Sequence, residues 1–203
     1  KQVTVALSGE CADEIFGGYN VYSEPGGSAY DKLPRGLRRG IGHIAEKMPA
    51  HRGRNFLVRK GKDLEERFIG NAYMFTPEER KALLKIRTNA PDPMAITKPF
   101  YDKVQDQDDV TKMQYLDLHM WMAGDILLKA DKMSMANSLE LRVPFLDKKV
   151  MELAEQIPTR YRVTREAVTD EKTPYITKYA MRLAAKKDTP PQTAKTAAKK
   201  KLG

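Results

Sequence analysis

The residue pattern indicates an α/β fold, mostly helical, with one or few parallel strands. Three observations carry this. Val3, Val5 and Leu7 end at Ser8-Gly9, the pattern of a short buried strand. Ala12–Phe16 follows at once as one or two helical turns closed by Gly17-Gly18. Most later apolar residues then recur at helical rather than alternating spacing.

Ser23 to Ser28, with Pro25-Gly26-Gly27, forms a loop. Leu33-Pro34 opens a basic amphipathic helix to about Lys47, with Leu37, Ile41 and Ile44 on the inward face and Arg35, Arg38 and Arg39 on a solvated one. Met48-Pro49 ends it. Arg52-Gly53-Arg54-Asn55 has the composition of a basic surface connector. Leu64, Phe68, Ile69 and Ala72 place a helix over about 63–74. Thr76-Pro77-Glu78-Glu79 is a capping box with proline at the first helical position, and the helix that follows should carry Leu83 and Leu84 inward. Asn89 to Pro93 forms a break.

Residues 109–136 are the longest periodic stretch. Val110, Met113, Leu116, Leu118, Met120, Trp121, Ile126 and Leu127 make a wide apolar surface, with Gly124 as a point that could divide two helices. Asp125 falls inside this apolar run. A buried carboxylate needs a charged or metal partner, so Asp125 is either the N-cap of a second helix or a site residue. His119 reads as a packed helix residue rather than a ligand, and Lys129 and Lys132 as helix-surface or phosphate-facing residues. Pro144 keeps Glu140–Phe145 extended, so Glu140 and Arg142 share a side and can pair with Asp131 or with nearby loops to hold a pocket. Asp147 caps a helix carrying Val150, Met151, Leu153, Ala154 and Ile157 that stops at Pro158, and Tyr175–Ala185 is a further helix. The tail from Lys186 is rich in Ala, Lys, Thr and Pro.

At 203 residues the chain is long enough for a core, and no apolar run approaches the roughly 20 residues that span a bilayer. One cysteine, Cys11, excludes an internal disulfide and fits a reducing cytoplasm; it reads as a packing residue. The net charge of +9 raises nucleic acid as a partner, but the basic segments lack interleaved stacking aromatics, so a nucleotide polyanion is the better match and nucleic acid is not expected.

Ligands of open α/β sheets bind beyond the carboxyl ends of strands. At that place in this chain stand Glu10, Asp13 and Glu14. Acids there either complement the helix dipole or share a divalent cation with phosphate oxygens. The string Ser8-Gly9-Glu10-x-Ala12-Asp13-Glu14-x-Phe16-Gly17-Gly18-Tyr19 resembles the S-G-E-G-x-D-E-x-F-G-G-Y segment of glutamine-dependent asparagine synthetases. Asp131-Lys132-Met133-Ser134-Met135-Ala136, followed by Glu140-Leu141-Arg142-Val143-Pro144-Phe145-Leu146-Asp147, resembles that family's D-K-x-S-M-A…E-x-R-x-P-F-L-D signature. The resemblance covers most of the chain and is weakest at about 25–110.

The resemblance implies that residues 1–203 are the C-terminal, mostly helical part of an ATP-pyrophosphatase (adenine-nucleotide α-hydrolase-like) domain. On that expectation the glutaminase domain and the pyrophosphate loop lie upstream and the fragment is inactive alone. The family activates aspartate with ATP as β-aspartyl-AMP and lets ammonia from glutamine attack it. Carried onto this chain, Ser8 and Gly9 contact ATP, Asp13 holds Mg²⁺, and Glu10 acts near the adenylate as a base for ammonium. Asp125 is an active-site acid, and Lys201 stabilises the transition state with Lys200 beside it. The implied partners are aspartate, ATP, ammonia or glutamine and the N-terminal glutaminase domain, with a homodimer left open. Cys11 stands where the family usually has glycine, which strains the turn if that position needs a positive φ. β-Lactam synthetases share the scaffold but usually carry Tyr at the Glu10 position; a basic helical module that binds RNA or a protein is the reading from another class.

Overall fold

The computed structural model describes residues 3–25, 28–49, 51–86, 89–165 and 175–188. The chain divides into two units, one of residues 1–23 with 130–203 and the other of residues 24–129. No helix among the described residues is long and apolar enough to cross a membrane.

In the first unit, β1 (Val5–Leu7) pairs in parallel with β2 (Glu140–Arg142), with Val5 opposite Glu140 and Leu7 opposite Arg142. The strand expected before Ser8 thus lies in a two-stranded parallel sheet, in keeping with the expected one or few parallel strands. It is not the buried strand that its apolar residues suggested: Leu7 is 74% exposed and Val5 is exposed too, because among the described residues β2 alone stands beside it. Helix α1 (Ala12–Phe16) follows the strand and ends at Gly17, whose left-handed φ of 71° no β-carbon favours. The unit's core is Cys11, Ala12, Ile15, Phe16 and Tyr22 with Ala154, and Phe16 meets Phe145 edge to face at 6.1 Å.

Asp147 caps α9 (Lys148–Gln156), accepting from the Lys149 N–H at 2.9 Å, as the sequence implied. Of the helix's expected inward residues only Ala154 is fully buried, and Leu153 is exposed. A short α10 (Thr159–Arg162) succeeds Pro158. The last described helix, α11 (Tyr179–Asp188), starts later than the expected Tyr175, because Ile176 instead bridges Thr164 through two backbone hydrogen bonds of 2.7 and 2.9 Å.

The second unit opens with α2 (Arg35–Lys47) and α3 (Arg54–Gly61), which pack as a helical hairpin. Their approach is closest at Gly42 and Gly61. A β-carbon on Gly61 would sit 2.7 Å from the Gly42 Cα. This glycine contact and Ala45 form the buried side of α2, while Leu37 and Ile44, expected inward, are exposed. The expected connector at Arg52–Asn55 is in fact the start of α3. Arg54 turns back onto the open end of α2, donating to the carbonyls of Ala45, Glu46 and Met48 at 2.9–3.0 Å. Nor is the arginine face of α2 simply solvated. Arg35 and Arg39 both pair with Asp63, and Arg39 with Glu66 at 2.9 Å.

The expected helix over 63–74 stops at α4 (Leu64–Arg67). Gly70 then takes φ 96°, and the buried Asp117 carboxylate accepts from the Asn71 backbone N–H at 3.0 Å and from its side-chain amide at 2.7 Å. These bonds satisfy the turn in place of a helical ladder. Helix α5 (Pro77–Leu83) has the expected capping box, with Thr76 and Glu79 bonded reciprocally, but Leu83 and Leu84 face outward. The break at 89–93 ends in an unexpected helix, α6 (Pro93–Asp102), capped by Asp92. Helix α7 (Asp109–Asp117) runs through a π-helical segment (Leu118–Ile126) into α8 (Leu127–Ala136) without the expected division at Gly124. Val110, Met113 and Leu116 form this unit's core with Tyr101 and Phe68, and the Tyr101 hydroxyl donates to the Phe68 carbonyl at 2.7 Å.

Candidate functional site

The parallel pairing places the turn at residues 8–11 just past the carboxyl end of β1. The Ser8 N–H extends the ladder by donating to the Arg142 carbonyl at 2.8 Å. The Ser8 hydroxyl then accepts from the Glu10 N–H at 3.2 Å, which folds the chain back on itself. Cys11 completes the turn at φ 69°, the left-handed region in which glycine is at ease and a β-carbon is not. The conditional expectation about Cys11 is therefore met: the position does need a positive φ.

Burial and the carboxylates of Glu14 and Glu10 push the Cys11 thiol from its ordinary 9.0 up to about 12. The neutral thiol is the form that the fold favours. Its contribution to stability is complete below pH 9 and declines as pH rises from 9 towards 12. At pH 8 the folded chain holds roughly a thousandfold fewer Cys11 thiolates than the unfolded chain. Iodoacetamide should accordingly label Cys11 at least about 100-fold faster in urea than in buffer, as read by peptide mapping. Equal rates would place Cys11 outside the core.

The three acids take three different environments. Glu14 is buried and accepts from the Tyr19 hydroxyl at 2.6 Å. Asp13 meets the ammonium of Lys178 at 3.0 Å. Glu10 is half-buried, and its Oε2 is sealed from solvent with no hydrogen-bond partner among the described residues. Such an atom is costly to leave alone and suits a cation or an N–H donor. Gly18 is fixed by this arrangement. Its N–H donates to the Asp13 carbonyl at 2.7 Å, and a β-carbon there would lie 2.0 Å from Asp13 Oδ1 and 2.4 Å from Lys178 Cε.

Ser8, Gly9 and Glu10 thus sit on the turn, and Asp13 on the first turn of α1 that follows it. Lys178 joins them without having been anticipated. It comes from about 160 residues further along, and no local pattern marks it. Its φ of 51° is a tertiary feature that spacing does not encode. Glu140 and Arg142 pair with each other at 2.9 Å rather than with Asp131. Asp125 belongs to the 24–129 unit and differs from its expected setting. It lies within the π-helical segment, its side chain is 46% exposed, and Lys129 stands 3.7 Å away, so it is neither a buried acid nor an N-cap. His119, expected to be packed, is exposed: its ring lies tilted against that of Tyr115, with centroids 4.1 Å apart, and its Nδ1 lies 2.8 Å from the Tyr115 carbonyl. Lys201 and Lys200 lie outside the described residues.

Among the described residues no three His, Cys, Asp or Glu side chains converge as a ready metal cluster. A magnesium ion carried by a nucleotide needs only one or two protein carboxylates. The orphaned Glu10 oxygen and the Asp13 carboxylate supply hard oxygen donors of that kind, one on the turn and one on α1.

The profile of the asparagine synthase family matches residues 1–201. This chain belongs to the asparagine synthase family. It is 46% identical over 205 residues to asparagine synthetase (glutamine-hydrolyzing) 1 of Bacillus subtilis (strain 168), a match that covers 100% of this chain and 30% of that protein. It is 30% identical over 158 residues to asparagine synthetase (glutamine-hydrolyzing) 3 of the same organism, covering 78% of this chain and 21% of that protein. The chain therefore spans about a third or less of the length of these family members. No solved structure matches it.

Proposed function

We propose that this chain is the C-terminal part of an ATP-pyrophosphatase-type domain in a glutamine-hydrolysing, AMP-forming asparagine synthetase. The observation that carries the reading is the turn beyond β1, where Ser8, Gly9 and Glu10 follow a parallel strand's carboxyl end and lead directly into α1, which carries Asp13. The exposed two-stranded sheet supports it as well, since parallel strands ordinarily have covered faces, which further parts of a larger domain would supply.

Ser8 and Gly9 bring backbone close to the nucleotide; Gly9 has open space around its Cα, with nothing within 4 Å of where a β-carbon would stand. Asp13 would hold Mg²⁺. Bound there, the metal would neutralise charge on the nucleotide phosphates. Lys178 holds the Asp13 carboxylate in place through their ion pair while the metal is away. Glu10, with a desolvated oxygen, accepts a proton from the incoming ammonium so that ammonia attacks the β-aspartyl carbonyl and AMP departs. Lys201 acts on the charge that develops at the α-phosphate, and Asp125 helps to poise that lysine or the metal. Aspartate, ATP and ammonia or glutamine are the substrates, and a glutaminase domain of the parent chain is the partner.

The test is aspartate-dependent exchange of pyrophosphate into ATP by the complete protein. Asp13→Ala should lower exchange at least about 100-fold. Glu10→Gln should lower asparagine formation by a similar factor. Unimpaired exchange by the Asp13 variant would remove its metal role.

A further inference from the structure

A cleft of about 480 Å³ opens in the 24–129 unit, away from the residues of the β1 turn in sequence. Arg38 of α2 and Arg67 of α4 both line it. The Arg67 side chain is only 5% exposed, yet its Nε and Nη1 make no hydrogen bond among the described residues. Its nearest ion-pair partner is Asp109, with Nη2 3.9 Å from Oδ2, too far for a hydrogen bond. The buried Arg38 Nε has no acceptor either. A guanidinium buried with unmet donors is costly unless an acceptor fills the space in front of it.

The charge around the cleft indicates what that acceptor is. Six cationic side chains face four carboxylates. Arg35 and Arg39 engage two of the four, Asp63 and Glu66. The lining holds two more cations than carboxylates, and one cation, Lys62, is paired with Glu46 at 3.0 Å outside it, which leaves a surplus that suits a phosphate oxyanion. Guanidinium forks match phosphate oxygens bidentately. The volume exceeds that of a bare phosphate and falls in the range of small-molecule sites, and Leu64 and Met94 give the wall an apolar part. The geometry points to a binding site for a small phosphorylated molecule, its phosphate on Arg38 and Arg67 and its organic body against Leu64 and Met94. This inference does not depend on the synthetase reading, because its readout needs no turnover.

The experiment titrates phenyl phosphate into the complete protein, without nucleotide or magnesium, and follows heat and the Met94 methyl signal. Inorganic phosphate and benzoate serve as the separate phosphate and ring arms. Saturable millimolar or tighter binding of phenyl phosphate with a shifted Met94 signal is expected. Benzoate should bind at least about 10-fold more weakly, and Arg38→Gln should weaken phenyl phosphate by about 10-fold or more. Arg67→Gln should abolish binding. Should that buried variant fail to fold, the half-exposed Arg38 and Lys112→Gln carry the test. Lack of saturation, an unmoved Met94 signal, or wild-type affinity in Arg38→Gln would each overturn the proposal and leave water as the acceptor of these donors.

Discussion

Lys60→Met is expected to lower the unfolding free energy by about 3–5 kcal/mol, the range for breaking a buried ion pair from one side. Lys60 is 3% exposed. Its ammonium meets both carboxylate oxygens of Asp31, at 2.9 and 2.8 Å, and the Glu24 carbonyl at 2.8 Å. All three of its donors are thereby used. Methionine keeps the stem's packing but strands a largely buried carboxylate and a carbonyl. Asp31 also accepts from the Ser28 N–H at 3.2 Å, so the damage should reach the capping box that sets the 29–32 turn. Urea unfolding measures the loss. Adding Asp31→Asn should recover more than half of it, because a neutral amide keeps the Ser28 bond and removes the unpaired charge. A loss below about 1 kcal/mol, or no recovery in the double variant, would show that water replaces the ammonium.

That ion pair is also an example of what local sequence leaves unread. Lys60 lies just beyond a basic run, Arg52–Asn55, that composition assigns to a surface connector. The run becomes α3 because Gly61 lets it approach Gly42 on α2, and neither glycine signals helix by itself. Helix α6 is hidden in the same way by Pro93 and Pro99. Pro93 in fact occupies the helix's first turn behind the Asp92 cap. By contrast, the capping box at Thr76 and the cap at Asp147 are legible, since their chemistry lies within three residues of chain.

The candidate site divides along the same line. Ser8, Gly9, Glu10 and Asp13 are legible because one strand, one turn and one helix bring them together. Periodicity misleads for Asp125. Its apolar neighbours in sequence suggest burial, but π-helical winding places five rather than four residues between bonded groups and changes which residues share a face. Apolar stripes show a second limit: Leu37 and Ile44 do form a stripe on α2, yet the buried side is the glycine contact with α3. Spacing identifies a face, and only packing decides what covers it. Lys178 is a third case, since a single ion pair across the fold has no period at all.

Gly18→Ala in the complete protein should depress aspartate-dependent pyrophosphate exchange by about 100-fold or more, although Gly18 itself carries no reacting group. An added β-carbon would lie 2.0 Å from Asp13 Oδ1, 2.6 Å from its Cγ and 2.4 Å from Lys178 Cε. Real β-carbons do not approach so closely, so the Asp13 carboxylate or the Lys178 chain must move by an ångström or more. The Gly18 N–H holds the Asp13 backbone carbonyl at 2.7 Å, so the backbone stays beside residue 18 and the carboxylate side chain is what must turn away. Displacing a group by about 1 Å is enough to cost about 100-fold in rate. The displacement also separates Asp13 from its lysine, so the ion pair should fail together with the site. A structural role alone predicts a different pattern: lower melting temperature with near-normal exchange in the molecules that remain folded. Gly36→Ala is the control, since nothing lies within 4 Å of a β-carbon there. If Gly18→Ala keeps wild-type exchange at saturating ATP, the Asp13 carboxylate does not need its present position. The magnesium role assigned to it would then fall.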